Sequence, residues 1–470
     1  MHQFRRGDRV GQSARVRWLG AVAVALLATG PAFATGDLSR AGHIIVLMQE
    51  NHSFDNYFGA LAYAPGSPYH GPATPSSGEQ GCDPDDHRCV DGLSCAPTPS
   101  GGLTCFDSNL EEDGSVVYAF HDANRCVRPD LDHSWVGTHG EINFVNPADT
   151  LLHPLNDGFV RVNDATEQRD TGPETPFEDE TIGFYTQDDL PFYYAMAQSF
   201  AISDRYFASV PGPTFPNRSY LLAATSFGHL TTSDILPPLP QVSFVDPNLG
   251  PIPLFPREND EHPPTDIQRG QAFVSRVVNA IRNGPYWRDS IVILTYDEHG
   301  GFFDHVRPPA APQGGQPSPD GIAPGQCADR SHLPASLLPG GGALCAHNFL
   351  SLTDTSVKDA EALCPALVLD PKGAYPQGCP NFDQLGVRVP FVAISPFSKP
   401  GYVSHTIADH ASILALIEKR FLPAEDGGRL HLTARDRFAS TLEDLFDFDN
   451  APSMHAVVGR AAPPAIDCTP

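Results

Sequence analysis

Residues 42–59 read GHIIVLMQENHSFDNYFG. Five apolar residues, Ile44 to Met48, run without a break and stop abruptly at Gln49-Glu50-Asn51-His52-Ser53-Phe54-Asp55. A short unbroken apolar run predicts a strand buried on both faces, as in a parallel sheet. The polar cluster then stands at the carboxyl end of the strand, where ligands bind in open α/β sheets. Residues 290–305, SIVILTYDEHGGFFDH, repeat this grammar, with Ile291 to Leu294 as the strand and Asp297-Glu298-His299 at its end. Two buried strands that both end in acidic residues predict one shared site of hard oxygen ligands.

Val389 to Ile394 reads as a third sheet strand and Ile202 to Phe207 as a short strand or turn. Leu190 to Phe200 carries Phe192, Met196 and Phe200 on one helical stripe. Phe273, Val274, Val277, Val278 and Ile281 follow helical spacing and end at Gly284 as a C-cap. Asp409-His410 opens a helix bearing Ile413, Leu416, Ile417 and Phe421. In Val210-Pro211-Gly212-Pro213-Thr214-Phe215-Pro216-Asn217-Arg218, Pro216 suits the first turn of a helix. Thr214 then lies at a helix N-terminus, where amide dipoles favour an anion. The stretches 60–118 and 307–385 are rich in Pro, Gly and Cys and read as long irregular insertions. Without repeats, linkers or a second apolar region, residues 35–470 read as one α/β domain.

Arg5, Arg6, Arg9, Arg15 and Arg17 precede an apolar segment, Leu19 to Thr29, and Ala32-Phe33-Ala34 fits a signal-peptidase site. The apolar run is short for a bilayer span of ~20 residues. A signal peptide over residues 1–34, and a secreted or periplasmic protein without a transmembrane anchor after cleavage, are expected. Arg5-Arg6 raises a twin-arginine route, although no apolar residue follows at the expected place. Cleavage removes five arginines and one aspartate, so the formal charge moves from −26 to −30. A chain this acidic does not bind nucleic acid through its general field. Ten cysteines in an exported chain predict disulfides: a stapled loop at 82–126, a second stapled region at 327–379, and Cys468 pinning the tail.

The chemistry these residues offer is activation of a hydroxyl beside a phosphate. A metal doing so takes hard oxygen ligands. Glu50, Asp297 and Glu298 supply carboxylates, Asn51 an amide oxygen and Thr214 a hydroxyl that metal coordination would activate. His133, in Asp132-His133-Ser134-Trp135, and His262, in Asn259-Asp260-Glu261-His262-Pro263-Pro264, could donate to phosphoryl oxygens or protonate a leaving alkoxide, as could His299 and His305. Each signal also has a plain reading. Glu50 could be a helix cap or a solvated residue, Asp297-Glu298 a salt-bridged turn, Thr214 an N-cap, and each histidine structural.

In combination the motifs are specific. QENHSFDNYFG, SDRYFASVPGPTFPNRSYLLAATS, NDEHPP and TYDEHGGFFDHVRPP occur in this order across about residues 42–421. The chain closely resembles the bacterial phosphoesterase family of non-haemolytic phospholipases C and acid phosphatases, relatives of the alkaline phosphatase superfamily. That resemblance implies a central, mainly parallel β-sheet sandwiched by helices, alkaline-phosphatase-like, with long disulfide-held insertions. It also implies a phosphoryl-enzyme mechanism with Thr214 as nucleophile and a divalent metal ion held by Glu50, Asn51, Thr214, Asp297 and Glu298. Asn51, His133 and His262 would contact the phosphate or the leaving group, with His299 and His305 further candidates. The sequence departs from the family pattern at His52, where Arg is common, at Glu298, where some members have Asp, and in the Cys-rich insertion. By the same resemblance, the additional C-terminal β domains of longer haemolytic members are not expected after the last helix. The expected activity is phospholipase C on a phospholipid or a small phosphoester. The alternatives are a broad acid phosphatase on monoesters and, in another class, a secreted binding protein with a degenerate site.

Overall fold

The structure is a computed structural model that describes residues 37–73, 81–111, 114–127, 130–143, 155–164, 179–232, 243–249, 258–311, 318–327, 355–369, 375–424, 428–454, 463–466 and 468. The expected signal peptide and most of residues 312–354 lie outside these.

Six strands form the central sheet: β1 (His43–Gln49), β2 (Ala201–Ser203), β3 (Ser243–Val245), β4 (Ser290–Tyr296), β5 (Phe391–Ile394) and β6 (Tyr402–Ser404). Their spatial order is β6-β2-β5-β4-β1-β3. The expectation from the two apolar runs holds: β1 and β4 are parallel neighbours, and every residue of β4 is buried. β5 is the exception to the parallel arrangement, running antiparallel to both β4 and β2, while β6 pairs parallel to β2 and β3 parallel to β1. The apolar pattern of 389–394 identified a buried strand, but strand direction leaves no trace in such a pattern.

Register is what builds the site. His43 lies opposite Ser290 and Gln49 opposite Tyr296, so the next residues, Glu50 and Asp297, leave the sheet side by side. The ladder continues one step, with the Asp297 N–H donating to the Gln49 carbonyl (3.1 Å).

The helices start where their caps dictate. α1 (Phe54–Phe58) begins after Ser53, whose Oγ accepts from the Asn56 N–H, and α2 (Trp135–Glu141) after Ser134, whose Oγ accepts from Gly137. α3 (Pro191–Ser199) has Pro at its first position, and its Phe192 and Met196 are buried. α4 (Thr214–Ala223) starts at Thr214 itself; the cap residue is Pro213, so Thr214 is not an N-cap. α5 (Ile267–Arg282) is capped by Asp266 and ends at Asn283, one residue before the Gly284 expected from the sequence. α6 (His410–Phe421) carries the Asp409/Ser412 capping box and packs against α4.

The first insertion is more ordered than its composition suggests. Two hairpins, 95–97 with 103–105 and 108–110 with 116–118, line up there, and Cys95 faces Cys105 across the first and is bonded to it. Cys82 pairs with Cys89 and Cys364 with Cys379. Cys126 does not close the 82–126 loop. It binds Cys468, so the tail is pinned as expected but by a cysteine assigned to another staple. Among the described residues no helix is long and apolar enough to cross a membrane.

Candidate active site

At the carboxyl ends of β1 and β4, three carboxylates crowd a buried space. The guanidinium of Arg218 bridges two of them: Nε donates to Asp297 Oδ2 (3.1 Å) and an Nη lies 3.4 Å from Glu50 Oε1, while the other Nη reaches Asp246 Oδ1 (2.6 Å). Arg218 is one helical turn after Thr214, on the same side of α4. The strand-end carboxylates are thereby tied to the helix that carries the hydroxyl. The turn leading into α4 is clamped by Asn217, whose amide donates to the carbonyls of Val210, Gly212 and Pro213 and accepts from the Val210 N–H. Gly212 abuts Trp135 of α2, where a Cβ would come within 3.2 Å of the indole.

Asn51 adopts φ 64°, a left-handed conformation that Asn tolerates better than most residues, and its N–H lies 3.4 Å from Asp297 Oδ1. Gly300 presses onto it so closely that a Cβ there would lie 2.2 Å from the Asn51 carbonyl oxygen, which fixes glycine at that point of the 298–301 turn. Both polar atoms of the Asn51 amide are buried without a hydrogen-bond partner. The same is true of Glu298 Oε1, while Glu298 Oε2 accepts from the Gly300 N–H (2.7 Å). Buried polar atoms left unpaired are uncommon and call for an explanation.

Two histidines face this space from a third direction. His133 Nδ1–H donates to the Leu131 carbonyl (2.8 Å) and His262 Nδ1–H to that of Pro263 (2.6 Å), leaving both Nε2 atoms turned outward. His133 Nε2 is 4.0 Å from Glu298 Oε1; His262 Nε2 is 3.8 Å from the exposed Asp130, which also lies 3.8 Å from His133 Nδ1. The rings meet edge to face at 5.6 Å.

Burial sets the electrostatics. It pushes Glu50 well above the carboxylate range, with Asp297 adding to the push, and it lifts Asp297 to about 6 against the pull of Arg218. Burial also works against the charge on His133, but Glu298 and then Asp130 outweigh it and hold the ring protonated, up to about 10. Glu50, Asn51, Asp297 and Glu298 offer oxygen throughout and two of the acceptors, Asn51 Oδ1 and Glu298 Oε1, are unpaired, which suits a hard divalent cation.

The other two candidate histidines sit differently. His299 Nε2 is 2.7 Å from Glu141 Oε2, and its Nδ1 is 3.4 Å from Glu298 Oε2. Burial opposes its charge, and Glu141 nonetheless lifts it to about 9. His305 is built into a separate cluster, with Nδ1 on Asp55 (2.6 Å), Nε2 3.4 Å from Asp91, and Arg388 bridging Asp55 and Asp304. Glu50, Asn51, Asp297, Glu298, His133 and His262 are thus joined by direct contacts or one intermediary, Thr214 is linked through Arg218, and His305 is held elsewhere.

Sequence reasoning passed over Arg218, Glu141, Asp130 and His410. His410, the first residue of α6, donates from Nε2 to the Asp297 carbonyl (2.7 Å), and burial pushes it down to about 4. Only Arg218 left a readable signal, its spacing of four residues from Thr214.

The family profile of phosphoesterases matches residues 41–238 and 234–422 of this sequence. The chain belongs to the phosphoesterase family. Non-specific phospholipase C6 of Arabidopsis thaliana is 26% identical to it, over 86% of this chain and 71% of the relative. Non-specific phospholipase C1 of the same plant is 27% identical, over 87% and 71%. Phospholipase C A of Mycobacterium tuberculosis is 27% identical, over 96% and 86%. This phosphoesterase is accordingly a hydrolase acting on phosphoric esters.

Proposed function

We propose that the chain is an exported, metal-dependent phospholipase C that releases a phosphorylated head group through a phospho-threonine intermediate. The observation that carries the reading is the pair of unsatisfied buried groups, the Asn51 amide and Glu298 Oε1, in an acidic site beside the helix that begins at Thr214. The choice of a diester follows the names of the relatives, which are phospholipases C. Glu50, Asn51, Thr214, Asp297 and Glu298 would hold the divalent ion, which, when bound, lowers the pKa of the hydroxyl and neutralises phosphate charge.

The protein's own groups supply the rest. Thr214 Oγ attacks phosphorus in line with the departing alkoxide, its proton passing to water in the cleft. The phosphoryl oxygens meet the first amides of α4, which have no acceptor within the helix, and the Asn51 Nδ2–H. His133 Nε2–H, kept protonated by Glu298, protonates the alkoxide as the P–O bond breaks and diacylglycerol leaves. In the second half the now neutral His133 takes a proton from water, whose oxygen bonds to phosphorus as the Thr214 Oγ–P bond breaks and Thr214 Oγ takes back a proton from water in the cleft. His262 Nε2 binds a phosphoryl oxygen. His299 and His305 act behind this set, His299 by aligning Glu298 and His305 by fixing the first turn of α1. The same reading takes the layered sheet as alkaline-phosphatase-like, residues 1–34 as a cleaved signal and residues 35–470 as one catalytic domain.

Phosphatidylcholine and p-nitrophenyl phosphate assayed side by side, before and after chelation with elemental analysis, test the proposal. Phosphocholine release that is lost with the metal supports it. Cleavage of the monoester alone would make the protein an acid phosphatase using the same residues.

A further inference from the structure

Behind the site lies a carboxylate that the mechanism above does not use. Glu261 is fully buried, at φ 75°, and no cation pairs with its side chain among the described residues. Its oxygens instead collect neutral donors from four segments. Oε2 accepts from Tyr57 (2.6 Å) on α1 and Tyr296 (2.5 Å) at the end of β4. Oε1 accepts from Tyr193 on α3 and from the amide of Gln49 (3.1 Å) at the end of β1. Helix α5 makes room for it at Gly270, where a Cβ would lie 2.0 Å from Glu261 Cγ.

Two of the four attachments adjoin site residues, and so does the loop that carries Glu261. Gln49 precedes Glu50 and Asn51. Tyr296 precedes Asp297 and Glu298. Asp260 offers its carbonyl to the Glu50 N–H (2.9 Å). His262 follows Glu261 directly, and His52 Nε2 lies 3.0 Å from the Glu261 carbonyl oxygen. The left-handed turn at Glu261 lets its side chain point back into the protein while His262 faces the cleft.

We infer that Glu261 is a positioning residue of the phosphoryl site: its carboxylate joins the ends of β1 and β4 to the 258–264 loop and so sets His262 against the strand-end carboxylates. The inference rests on the roles proposed for His262 and those carboxylates. Burial lifts Glu261 to about 7, against its four donors. Above that pH the carboxylate accepts all four donors on its two oxygens, whereas a glutamine amide keeps one acceptor oxygen and turns an NH2 group toward the other two donors.

The test uses Glu261→Gln and Tyr193→Phe, assayed at pH 8 on phosphatidylcholine in mixed micelles, with melting temperature and 15N-histidine NMR on the same samples. The expected result is a kcat lowered roughly 10- to 100-fold, as a small misplacement of reacting groups produces. KM should change by less than about twofold. Turnover is counted per folded molecule from the same samples, and the His262 ring resonances should move in both variants. Wild-type kcat in a folded variant would overturn the inference, as would a loss of Tm with undiminished turnover per folded molecule. If Glu261→Gln does not fold, Tyr193→Phe carries the same outcomes. If the wild type turns over no phosphatidylcholine, the substrate reading fails separately. The NMR then decides, and unmoved His262 resonances would overturn the inference.

Discussion

Glu298 and Asn51 are where the site departs most from an ordinary protein interior. Each keeps an oxygen acceptor buried and without a hydrogen-bond partner. In the proposed metal site, a divalent cation fills that need. Glu298→Gln keeps the shape and removes the charge, and it should lower metal affinity by at least the roughly 10- to 100-fold seen on losing even an outer partner of a metal ligand. Metal content after gel filtration, by elemental analysis, measures this, and full metal retention would count against Glu298 as a ligand. At this scale the sequence was informative where a side chain follows a pattern. Glu50, Asn51, Asp297 and Glu298 stand directly after apolar runs, so a strand and its end could be read together. Glu141 and Asp130 follow no pattern; each gains its role from a histidine that folding brings near. Arg218 would ordinarily be placed on the surface. Its burial makes sense only once carboxylates from three distant segments surround it.

Among the elements, the turn before α4 carries the largest mechanical demand, since it must hold a hydroxyl at a helix start with little slack. Asn217 does this with one side chain across residues 210–213. Asn217→Ala leaves several buried backbone groups unpaired and should cost about 2–3 kcal/mol in denaturant unfolding. It should also depress kcat more than KM, because Thr214 loses its fixed position while the phosphate contacts survive. An unfolding midpoint equal to wild type would refute the clamp. The Gly-Pro-Thr-x-Pro pattern made this helix start legible, because Pro216 fits only its first turn. The direction of β5 was not legible, because a fully buried strand looks the same in either sense. The hairpins at 95–118 escaped notice because their three-residue strands are too short to show alternation.

For the molecule as a whole, pH separates groups that folding keeps neutral from those it keeps charged. His139 donates from Nδ1 to the Trp135 carbonyl (2.7 Å), and burial pushes it down from 6.5 to about 4. The native ring therefore refuses a proton that the unfolded chain accepts below pH 6.5. Its contribution is complete above pH 6.5 and is lost as pH falls toward 4. At about 1.4 kcal/mol per pH unit this amounts to on the order of 3 kcal/mol. The difference in unfolding free energy between wild type and His139→Gln should change by that amount between pH 7 and pH 4, always against the wild type at the acid end, and a flat difference would sink the assignment. Raised carboxylates such as Asp297 and Glu261 pull the other way, so the comparison with a variant is needed to isolate the histidine. The chain order of the motifs made the overall architecture and the reaction class legible. The long insertions were legible only as insertions, since Cys126 pairs not within the first of them but with Cys468, 342 residues away. The most direct measurement of the phospho-threonine mechanism is peptide mass mapping of the metal-loaded enzyme, quenched in acid during turnover of phosphatidylcholine. That mechanism predicts a phosphocholine adduct on the peptide containing Thr214, absent from Thr214→Ala, which should also be inactive. An adduct on another residue, or a Thr214→Ala enzyme with wild-type turnover, would contradict it.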